Sequence, residues 1–495
     1  MQLNKKYILS KDFTAKDIPV GSLENMPEKV IQFGEGNFLR AFVDWQFNEL
    51  NKKGLFNGKI VIVQPLANGM IDTINQQDGL YTLLLRGLKN GKPIETTGII
   101  TSISRGLNPY KDWKGFLECA ANPDLRYIVS NTTEAGIAYN KLLFLKDECP
   151  LSFPAKVTAF LFERFQRFNG DITKGMIILA CELIENNGST LKKYVLQHAE
   201  DWDLGADFTN WIERGNYFCN TLVDRIVPGF PKDEIEEITL KLGYEDKVIV
   251  AAEIFYLWVI QGDEKIKDEL PFAKAGLNVV WTNDIQQYRT LKVRILNGAH
   301  TTFTIPSFLA GNNTVKESFD DSTTGQFINE GIFNEILPVL NFPDEMKVEF
   351  AKNTIERFQN PFTKHYLLSI SLNSVSKYKV RVLPTLLEYH KIYNRLPKIL
   401  TFSLAALIIF YKNKYSNLDK LELREYQVND DPDVINFFKD LSNETDYRAV
   451  IKKTLSNVSF WDSDLNQIKG LTEKVVEFYK SISIAGMRNA IMEIL

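Results

Sequence analysis

A lysine, an asparagine and a histidine stand close together in the second half of the chain, at Lys292, Asn297 and His300. In an α-helix, which turns by about 100° per residue, Asn297 would lie about 140° and His300 about 80° around the axis from Lys292. All three side chains would then project from one side of the helix. A lysine can transfer a proton, an amide can donate a hydrogen bond to a developing oxyanion, and an imidazole can orient either one. The alternative is an amphipathic helix with a surface lysine, a buried amide and a core histidine.

A glycine-rich turn stands near the start of the chain, where Gly34 and Gly36 follow the apolar segment 29–33 and precede a helical run that begins at Phe38. In a dinucleotide-binding turn the first glycine permits a tight bend, and the second lets the backbone approach the pyrophosphate at the positive end of the helix. Leu39 stands where the usual fingerprint has a third glycine. The sequence predicts a dinucleotide site, and a turn that only permits close packing is the alternative.

A second strand is predicted at 59–63, so strand, glycine turn, helix and strand follow one another with the spacing of a parallel βαβ unit. This strand ends at Gln64. An acidic residue normally stands at that position and holds the ribose 2′-hydroxyl, so an amide does not decide between NAD and NADP.

The rest of the first half contains near-continuous apolar runs, which are typical of strands buried on both faces. These runs are 79–85, 126–130, 176–180 and 248–252. They predict an open, mostly parallel sheet with helices among its strands. From about residue 284 the apolar residues follow a helical period instead. We therefore expect an α/β N-terminal domain over 1–285 and a mostly α-helical C-terminal domain, carrying substrate-binding and catalytic residues, over 286–495.

Composition excludes several classes of function. The net charge of −4, from 58 basic and 62 acidic residues, gives no reason to expect nucleic acid or an anionic membrane as a partner. The four cysteines lack the CxxC spacing of a zinc site, and the longest apolar run, 399–411, is too short to span a bilayer and predicts a core helix. With no apolar signal segment at the start, we expect a cytoplasmic monomer or small homo-oligomer that binds a small molecule and has no catalytic metal.

Five motifs, in this order, resemble the mannitol dehydrogenase family of polyol-specific long-chain dehydrogenases. They are Gly-Glu-Gly-Asn-Phe-Leu-Arg-Ala at 34–41, Gln-Asp-Gly-Leu-Tyr-Thr at 77–82, Ser-Asn-Thr-Thr-Glu-Ala-Gly at 130–136, Leu-Val-Asp-Arg-Ile at 222–226 and Lys-x4-Asn-x2-His at 292–300. The resemblance extends over nearly the whole chain. Within the family, segments 31–45 and 131–137 are most similar to the members that reduce the keto hexuronate D-tagaturonate to D-altronate.

The resemblance implies a Rossmann-type first domain and a reversible, metal-independent reduction by NADH. It gives Lys292 the role of general acid and base, Asn297 that of polarising the carbonyl and His300 that of positioning the substrate. The residues it implies for NAD binding are Gly34, Glu35, Gly36, Asn37, Phe38, Arg40, Gln64, Asn131, Thr132, Thr133 and Glu134.

The resemblance also implies two substrate-binding residues. Asp224 matches a polar contact near the substrate, and Lys377 matches a lysine near the bound polyol. A hexuronate carboxylate needs cationic donors that a neutral polyol does not. The sequence offers Lys364, His365 and Lys377 for this purpose, with Arg381 nearby, although Lys364 and His365 also fit an ordinary surface pair.

Two departures concern substrate recognition. Members of the family that oxidise mannitol carry an asparagine where this chain has Leu183 and an arginine where it has Ser369. These changes argue against mannitol as substrate. The alternatives that stay open are reduction of D-fructuronate, a mannitol or other polyol 2-dehydrogenase, and a non-catalytic dinucleotide sensor. The intact Lys292, Asn297 and His300 argue against the sensor, which would not require them.

Overall fold

A computed structural model describes residues 1–133, 135–414 and 426–495. The chain forms two compact units. The first contains Met1–Arg86 and Ile94–Gln286, and the second contains Gly87–Pro93 and Gln287–Leu495. The first unit is an α/β structure of Rossmann type and the second is mostly helical, which confirms the predicted fold class.

The strands belong to two sheets. Their bounds are β1 (Glu28–Phe33), β2 (Lys59–Val63), β3 (Tyr81–Lys89), β4 (Lys92–Ile100), β5 (Ile103–Leu107), β6 (Tyr127–Ser130), β7 (Ile177–Ala180), β8 (Tyr217–Asp224), β9 (Val250–Glu253), β10 (Leu257–Gln261) and β11 (Val279–Thr282). The larger sheet has the order β11-β10-β8-β7-β6-β1-β2-β5, and its pairs are parallel except β8 with β10. The smaller sheet has the order β4-β3-β9.

The centre of the larger sheet is buried on both faces. Val30 of β1 belongs to one apolar cluster, whereas Ile31 and Phe33 belong to another, because successive side chains of a strand point to opposite faces. All five residues of β2 are buried as well. This two-sided burial explains the continuous apolar runs from which these strands were predicted.

Segments 79–85 and 248–252 do overlap two strands, β3 and β9, but their assignment to the larger parallel sheet was wrong, because they pair with each other in the smaller sheet. The prediction also missed β4, β10 and the two edge strands, β5 and β11. In β5, polar residues stand between the apolar ones, so no continuous apolar run marks this strand. Strand β8 was missed because polar residues interrupt it. Its Asn220 accepts the backbone N–H of Ser189, and Thr221 donates its own N–H to Asn187.

Along the chain, the helices of the first unit lie before and between its strands. Their bounds are α1 (Lys5–Ile8), α2 (Asn37–Leu39), α3 (Trp45–Lys52), α4 (Ile71–Gln76), α5 (Trp113–Glu118), α6 (Phe153–Arg167), α7 (Asn187–Asp201), α8 (Ala206–Gly215), α9 (Ile235–Leu242) and α10 (Glu264–Lys267). A π-helical segment, Arg40–Asp44, joins α2 to α3, and short 3₁₀ turns occupy Cys119–Ala121, Ile172–Lys174 and Ala273–Ala275.

The second unit is built from helices around an apolar core. Their bounds are α11 (Gln286–Leu291), α12 (Gly298–Leu309), α13 (Val315–Asp320), α14 (Ser322–Glu330), α15 (Asp344–Phe358), α16 (Leu367–Ile370), α17 (Ser374–Arg381), α18 (Leu383–Tyr393), α19 (Lys398–Asn413), α20 (Pro432–Asp440), α21 (Tyr447–Leu455), α22 (Val458–Trp461), α23 (Leu471–Ala485) and α24 (Met487–Ile494). Lys292–Asn297 and Gly331–Ile336 are π-helical, and Leu337–Val339 and Leu465–Gln467 are 3₁₀ turns.

Helix α19 is the central helix of the second unit. Every residue from Ile399 to Asn413 is buried, and the helix packs against α12 and α23, which confirms the predicted core helix. In the described ranges, no helix has the length and apolar character needed to cross a membrane.

The first turn of α19 has no capping side chain of its own. Glu335 replaces it, because its carboxylate accepts the N–H groups of Ile399, at 2.8 Å, and of Leu400, at 2.9 Å. Burial raises the pKa of Glu335 to about 7. A single carboxyl group thus satisfies two backbone donors that would otherwise be buried without an acceptor.

We expect Glu335→Ala to lower the free energy of unfolding by about 1–3 kcal/mol, the cost of leaving buried donors unsatisfied. Urea unfolding followed by circular dichroism measures this loss. Glu349→Ala, at an exposed position of α15, is the matched control and should change stability by no more than about 0.5 kcal/mol. Equal effects of the two substitutions would contradict the capping role.

The raised pKa of Glu335 also gives this site a pH dependence. A glutamate in the unfolded chain ionises near pH 4.3, whereas Glu335 in the folded protein ionises near 7. Between these values the folded state holds the extra proton, so the contribution of Glu335 to stability decreases as the pH rises. Glu335→Gln should remove this slope from the unfolding curves.

Candidate active site

Lys292 and Asn297 mark the two ends of a π-helical segment that lies between α11 and α12. Backbone hydrogen bonds in such a segment run from residue i to i+5, as from the N–H of Gly298 to the carbonyl of Val293. A turn therefore takes more residues than in an α-helix, and a side chain five positions on returns close to the first. The sequence analysis assumed an α-helix and predicted an angle of about 140° between Lys292 and Asn297. In the wider π-helical turn this angle is smaller.

Gly298 follows the wide turn directly and lets two backbone carbonyls approach it. A Cβ atom at this position would lie 3.1 Å from the carbonyl oxygen of Arg381 and 3.4 Å from that of Val293. The absence of a side chain at Gly298 thus lets the end of α17 come close to the residue that follows Asn297.

The His300 side chain is buried, with 8% of its surface exposed, whereas Lys292 and Asn297 are half-buried. Its ring stacks on Phe358, with centroids 4.2 Å apart, and meets the ring of His365 edge-on at 5.2 Å. The Nε2 atom of His300 has no hydrogen-bond partner among the described residues. The imidazole is thus fixed in orientation and keeps one nitrogen available.

Burial lowers the pKa of His300 well below its ordinary value, and four basic residues lower it further. They are His365, Arg357, Arg381 and Lys377. His300 is accordingly a neutral imidazole at pH 7, able to donate or accept a hydrogen bond but not to carry charge.

The structure brings together most of the predicted substrate residues of the second unit. His365 lies against His300, and Lys377 donates its ammonium to the carbonyl of Ile370 at 2.9 Å. Burial lowers the pKa of both side chains. Lys364, by contrast, is exposed and is not placed in this group.

Arg357 is a member of the group around His300 that the sequence analysis missed. It is buried, with 8% of its surface exposed, and it directly precedes Phe358, the ring on which His300 stacks. The helical period of α15 could have indicated a buried position, but it could not show that the guanidinium lies near His300.

The predicted dinucleotide turn has the backbone geometry that this role requires. Gly34 has a φ of 123°, and a Cβ there would lie 2.8 Å from Leu39 and 3.2 Å from the carbonyl oxygen of Asn131. At Gly36, the N-cap of α2, a Cβ would meet no protein atom within 4 Å. The turn is thus tight at its first glycine and open at its second, as a bound pyrophosphate needs. Asn37 and Phe38 follow it, half-buried, in α2.

Arg40 is buried beneath this turn, with 1% of its surface exposed. Its guanidinium donates to the carbonyls of Glu35, at 3.0 Å, and of Val248, and to the side chain of Asn37 at 2.8 Å. These contacts hold the turn in place from inside the fold.

Gln64 is also used within the protein. Its amide donates to the carbonyls of Leu66 and Ala67, at 2.7 and 3.0 Å, and the side chain is 2% exposed. It therefore shapes the loop that follows β2.

The loop after β6 carries the predicted cofactor residues 131–134. Asn131 donates to the carbonyl of Cys181 at 3.0 Å, and Thr132 donates both its N–H and its hydroxyl to Glu182, each at 3.0 Å. Thr133 has a positive φ of 74°, and Glu134 lies outside the described residues.

Glu182 is a residue that the sequence analysis passed over. Its carboxylate is 2% exposed and also accepts the hydroxyl of Ser130 at 3.1 Å, so it holds the ends of β6 and β7 together. Burial raises its pKa above the ordinary value. The sequence indicated this residue only by an acidic side chain two positions after the end of the apolar strand β7.

Two of the other motifs prove to contain structural contacts. Asp246 accepts the side-chain amide of Gln77 at 2.9 Å and the N–H of Thr82 at 2.5 Å. Arg225 donates to the carbonyls of Glu253 and Ala41. Asp224, the predicted substrate contact, is the buried last residue of β8.

The two positions that differ from the mannitol-oxidising members, Leu183 and Ser369, are both exposed.

The side chains gathered around His300 are mostly basic. In the part of the chain that the structure describes, no three His, Cys, Asp or Glu side chains are grouped so that they could hold a metal ion. The second unit presents an ammonium, an amide and a neutral imidazole beside a cluster of basic side chains.

Comparison with protein-family models gives two matches. Residues 28–274 match the mannitol dehydrogenase Rossmann domain, and residues 284–483 match the mannitol dehydrogenase C-terminal domain. Among curated proteins, altronate oxidoreductase of Bacillus subtilis (strain 168) is 47% identical over 467 residues, which cover 94% of this chain and 95% of the relative. Altronate oxidoreductase of Halalkalibacterium halodurans is 41% identical and covers 95% and 94%.

Solved structures with the same fold include a substrate-free D-sorbitol dehydrogenase, with a TM-score of 0.81 and 21% identity over 99% of this chain and 100% of the other. Mannitol 2-dehydrogenase of Pseudomonas fluorescens, in a ternary complex with NAD and D-mannitol, has a TM-score of 0.68 and 20% identity over 100% and 99%. At these identities the likeness shows the fold alone.

The environment of His300 predicts an imidazole that stays neutral at and above its ordinary pKa of about 6.5. An NMR titration should show no protonation of His300 in this range, with His300→Gln used to assign the signal. Because the unfolded chain takes up this proton and the folded chain does not, stability should fall as the pH drops below that value. A titration of His300 near pH 6.5 would contradict this account of its burial.

Proposed function

The chain belongs to the mannitol dehydrogenase family, which makes it an NAD-dependent oxidoreductase acting on CH–OH groups, and we propose that it reduces the keto hexuronate D-tagaturonate to D-altronate with NADH, reversibly. The observation that carries this choice of substrate is the set of basic side chains around His300, beside Lys292 and Asn297. An anionic sugar acid fits such a cluster better than a neutral polyol does. The altronate oxidoreductases among its relatives support the same choice.

The first unit supplies the dinucleotide site in this proposal. The open backbone at Gly36 fits a pyrophosphate, and Gly34, Glu35, Asn37 and Phe38 complete the turn. Arg40 contributes by holding the turn from beneath. NADH, when bound, supplies the hydride that reduces the ketone.

The loops after the neighbouring strands extend the proposed cofactor site. Gln64 follows β2 and shapes its loop, and Asn131, Thr132 and Thr133 follow β6. Glu134 completes this set as predicted from the sequence. The carboxyl ends of parallel strands are where open α/β sheets bind their ligands.

The second unit supplies the proton chemistry. Lys292 donates a proton to the ketone oxygen as hydride arrives at the carbon, and it accepts that proton in the reverse direction. Asn297 donates a hydrogen bond to the same oxygen while it carries developing negative charge. The wide turn brings both side chains toward one side, and neutral His300 positions the substrate through a hydrogen bond.

Recognition of the remaining substrate groups is assigned to four further polar residues. Asp224 contacts a hydroxyl group in this proposal, and His365 and Lys377 form the basic surroundings, with Lys364 at the exposed rim. D-fructuronate differs from D-tagaturonate in stereochemistry and carries the same carboxylate, so it is the second candidate substrate.

We expect the highest kcat/KM with D-tagaturonate and NADH. The assay follows NADH oxidation with D-tagaturonate, D-fructuronate and D-fructose, and repeats the best substrate with NADPH. Gln64 is an amide occupied by its own loop and offers no cationic fork for a 2′-phosphate, so NADPH should be used less well. A preference for D-fructose would refute the choice of substrate, and equal use of NADPH would refute the choice of cofactor.

Lys292→Ala should lower kcat by about 10²–10⁴-fold, the usual contribution of positioned acid–base catalysis, and leave NADH affinity nearly unchanged. Asn297→Ala should cost about 10²–10³-fold, the loss of one oxyanion donor. Added primary amine should partly restore the Lys292 variant and not the Asn297 variant. Lys316→Ala, which removes an exposed lysine paired with Asp320, is the control and should retain turnover. Near-normal turnover of Lys292→Ala would remove lysine from the mechanism.

A further inference from the structure

Arg381 is the last residue of α17, a helix that packs against α12 and the π-helical segment. Its carbonyl oxygen approaches Gly298, the residue after Asn297, as the 3.1 Å spacing to an added Cβ shows. The backbone of Arg381 therefore lies next to the predicted catalytic motif.

The side chain of Arg381 is half-buried, and burial lowers its pKa below the ordinary value. Its guanidinium makes no hydrogen bond or ion pair with any residue that the structure describes. Its charge acts on His300 and on Lys377, and lowers the pKa of both. A guanidinium is thus held toward the site without a partner of opposite charge.

Neighbouring basic residues raise the electrostatic free energy of the Arg381 guanidinium in this position. Lys377 stands four residues earlier on the same helix and has given its ammonium to the carbonyl of Ile370. The acidic residue near Lys377 is Asp430, which accepts the hydroxyl of Tyr411. Like charges close together destabilise one another unless an anion joins them.

Lys379, on the same helix, shows the ordinary arrangement for a surface cation. Its ammonium forms an ion pair with Asp462 at 2.6 Å. A cation at the end of a helix also gains from the helix dipole, which accounts for the position of Arg381 but not for its unpaired, half-buried guanidinium beside His300. An anionic ligand would account for both the position of Arg381 and its unpaired guanidinium.

We propose that Arg381 binds the carboxylate of the keto hexuronate substrate, an inference that rests on the proposed function. A planar guanidinium can hold a carboxylate through two parallel hydrogen bonds, which an ammonium cannot. Arg381 then decides between sugar acids and neutral ketoses, while Lys292 and Asn297 act on the keto group. Lys377, committed to Ile370, and exposed Lys364 have smaller parts in binding the carboxylate.

The test compares Arg381→Gln and Arg381→Lys with wild-type enzyme on D-tagaturonate and on the uncharged ketose D-tagatose. Arg381→Gln should raise KM for D-tagaturonate by about 10–100-fold, the range of a lost charge-assisted hydrogen bond, and leave the kinetics with D-tagatose nearly unchanged. Arg381→Lys should fall between the two, because it keeps the charge and loses the second hydrogen bond. Added guanidinium should partly restore Arg381→Gln with D-tagaturonate.

Lys379→Gln is the matched control, because it removes a cation from the same helix outside the cluster, and its KM for D-tagaturonate should equal that of wild type. Unchanged KM in Arg381→Gln, or equal increases for both substrates, would overturn the inference and leave the proposed function intact. Should Arg381→Gln fail to fold, Arg381→Lys assayed on the same two substrates carries the same comparison. A wild-type enzyme inactive on keto hexuronates would overturn the proposed function and the inference with it.

Discussion

Backbone hydrogen bonds that span five residues instead of four set the geometry of the Lys292–Asn297 segment, and the proposed chemistry depends on that spacing. An α-helix would place the lysine and the amide about 140° apart around its axis, whereas the wider turn reduces this angle and brings Asn297 closer to Lys292. Gly298 is part of the same constraint, because its lack of a side chain admits the carbonyls of Val293 and Arg381. One local departure from α-helical geometry thus positions the proposed proton donor, the proposed oxyanion donor and the end of α17.

In the proposed function, electrostatics determine which substrate the second unit selects. His300 is buried, stacked on Phe358 and surrounded by basic groups, so it stays neutral and works through hydrogen bonds. The basic groups are arranged around it at an energetic cost that the proposed anionic substrate would offset. In that proposal, binding of the sugar acid and orientation of its keto group are coupled, because both involve the same few side chains.

The parts of the fold that the sequence predicted are those where burial alone dictates the pattern. Strands β1 and β2 and helix α19 are enclosed on all sides, so their apolar runs were sufficient to find them. The pairing of β3 with β9 depends on contacts between residues 167 positions apart, and no local pattern carries that information.

The site was predicted as a set of residue types and only in part as a geometry. Lys292, Asn297 and His300 were predicted from their spacing, but that spacing does not distinguish an α-turn from a π-turn. Glu182 and Arg357 were missed because an isolated charged residue in a sequence does not reveal which backbone groups or rings surround it. Long-range contacts of this kind become visible only in the folded chain.

The buried contacts of Arg40 determine when the glycine turn can be supported during synthesis of the chain. The guanidinium beneath the glycine turn reaches the carbonyl of Val248, 208 residues further along, and Arg225 supports the carbonyl of Ala41 across 184 residues. A nascent chain that has emerged only as far as the first βαβ unit lacks both supports. The turn at Gly34 and Gly36 can therefore gain both of these supports only after residue 248 has been synthesised.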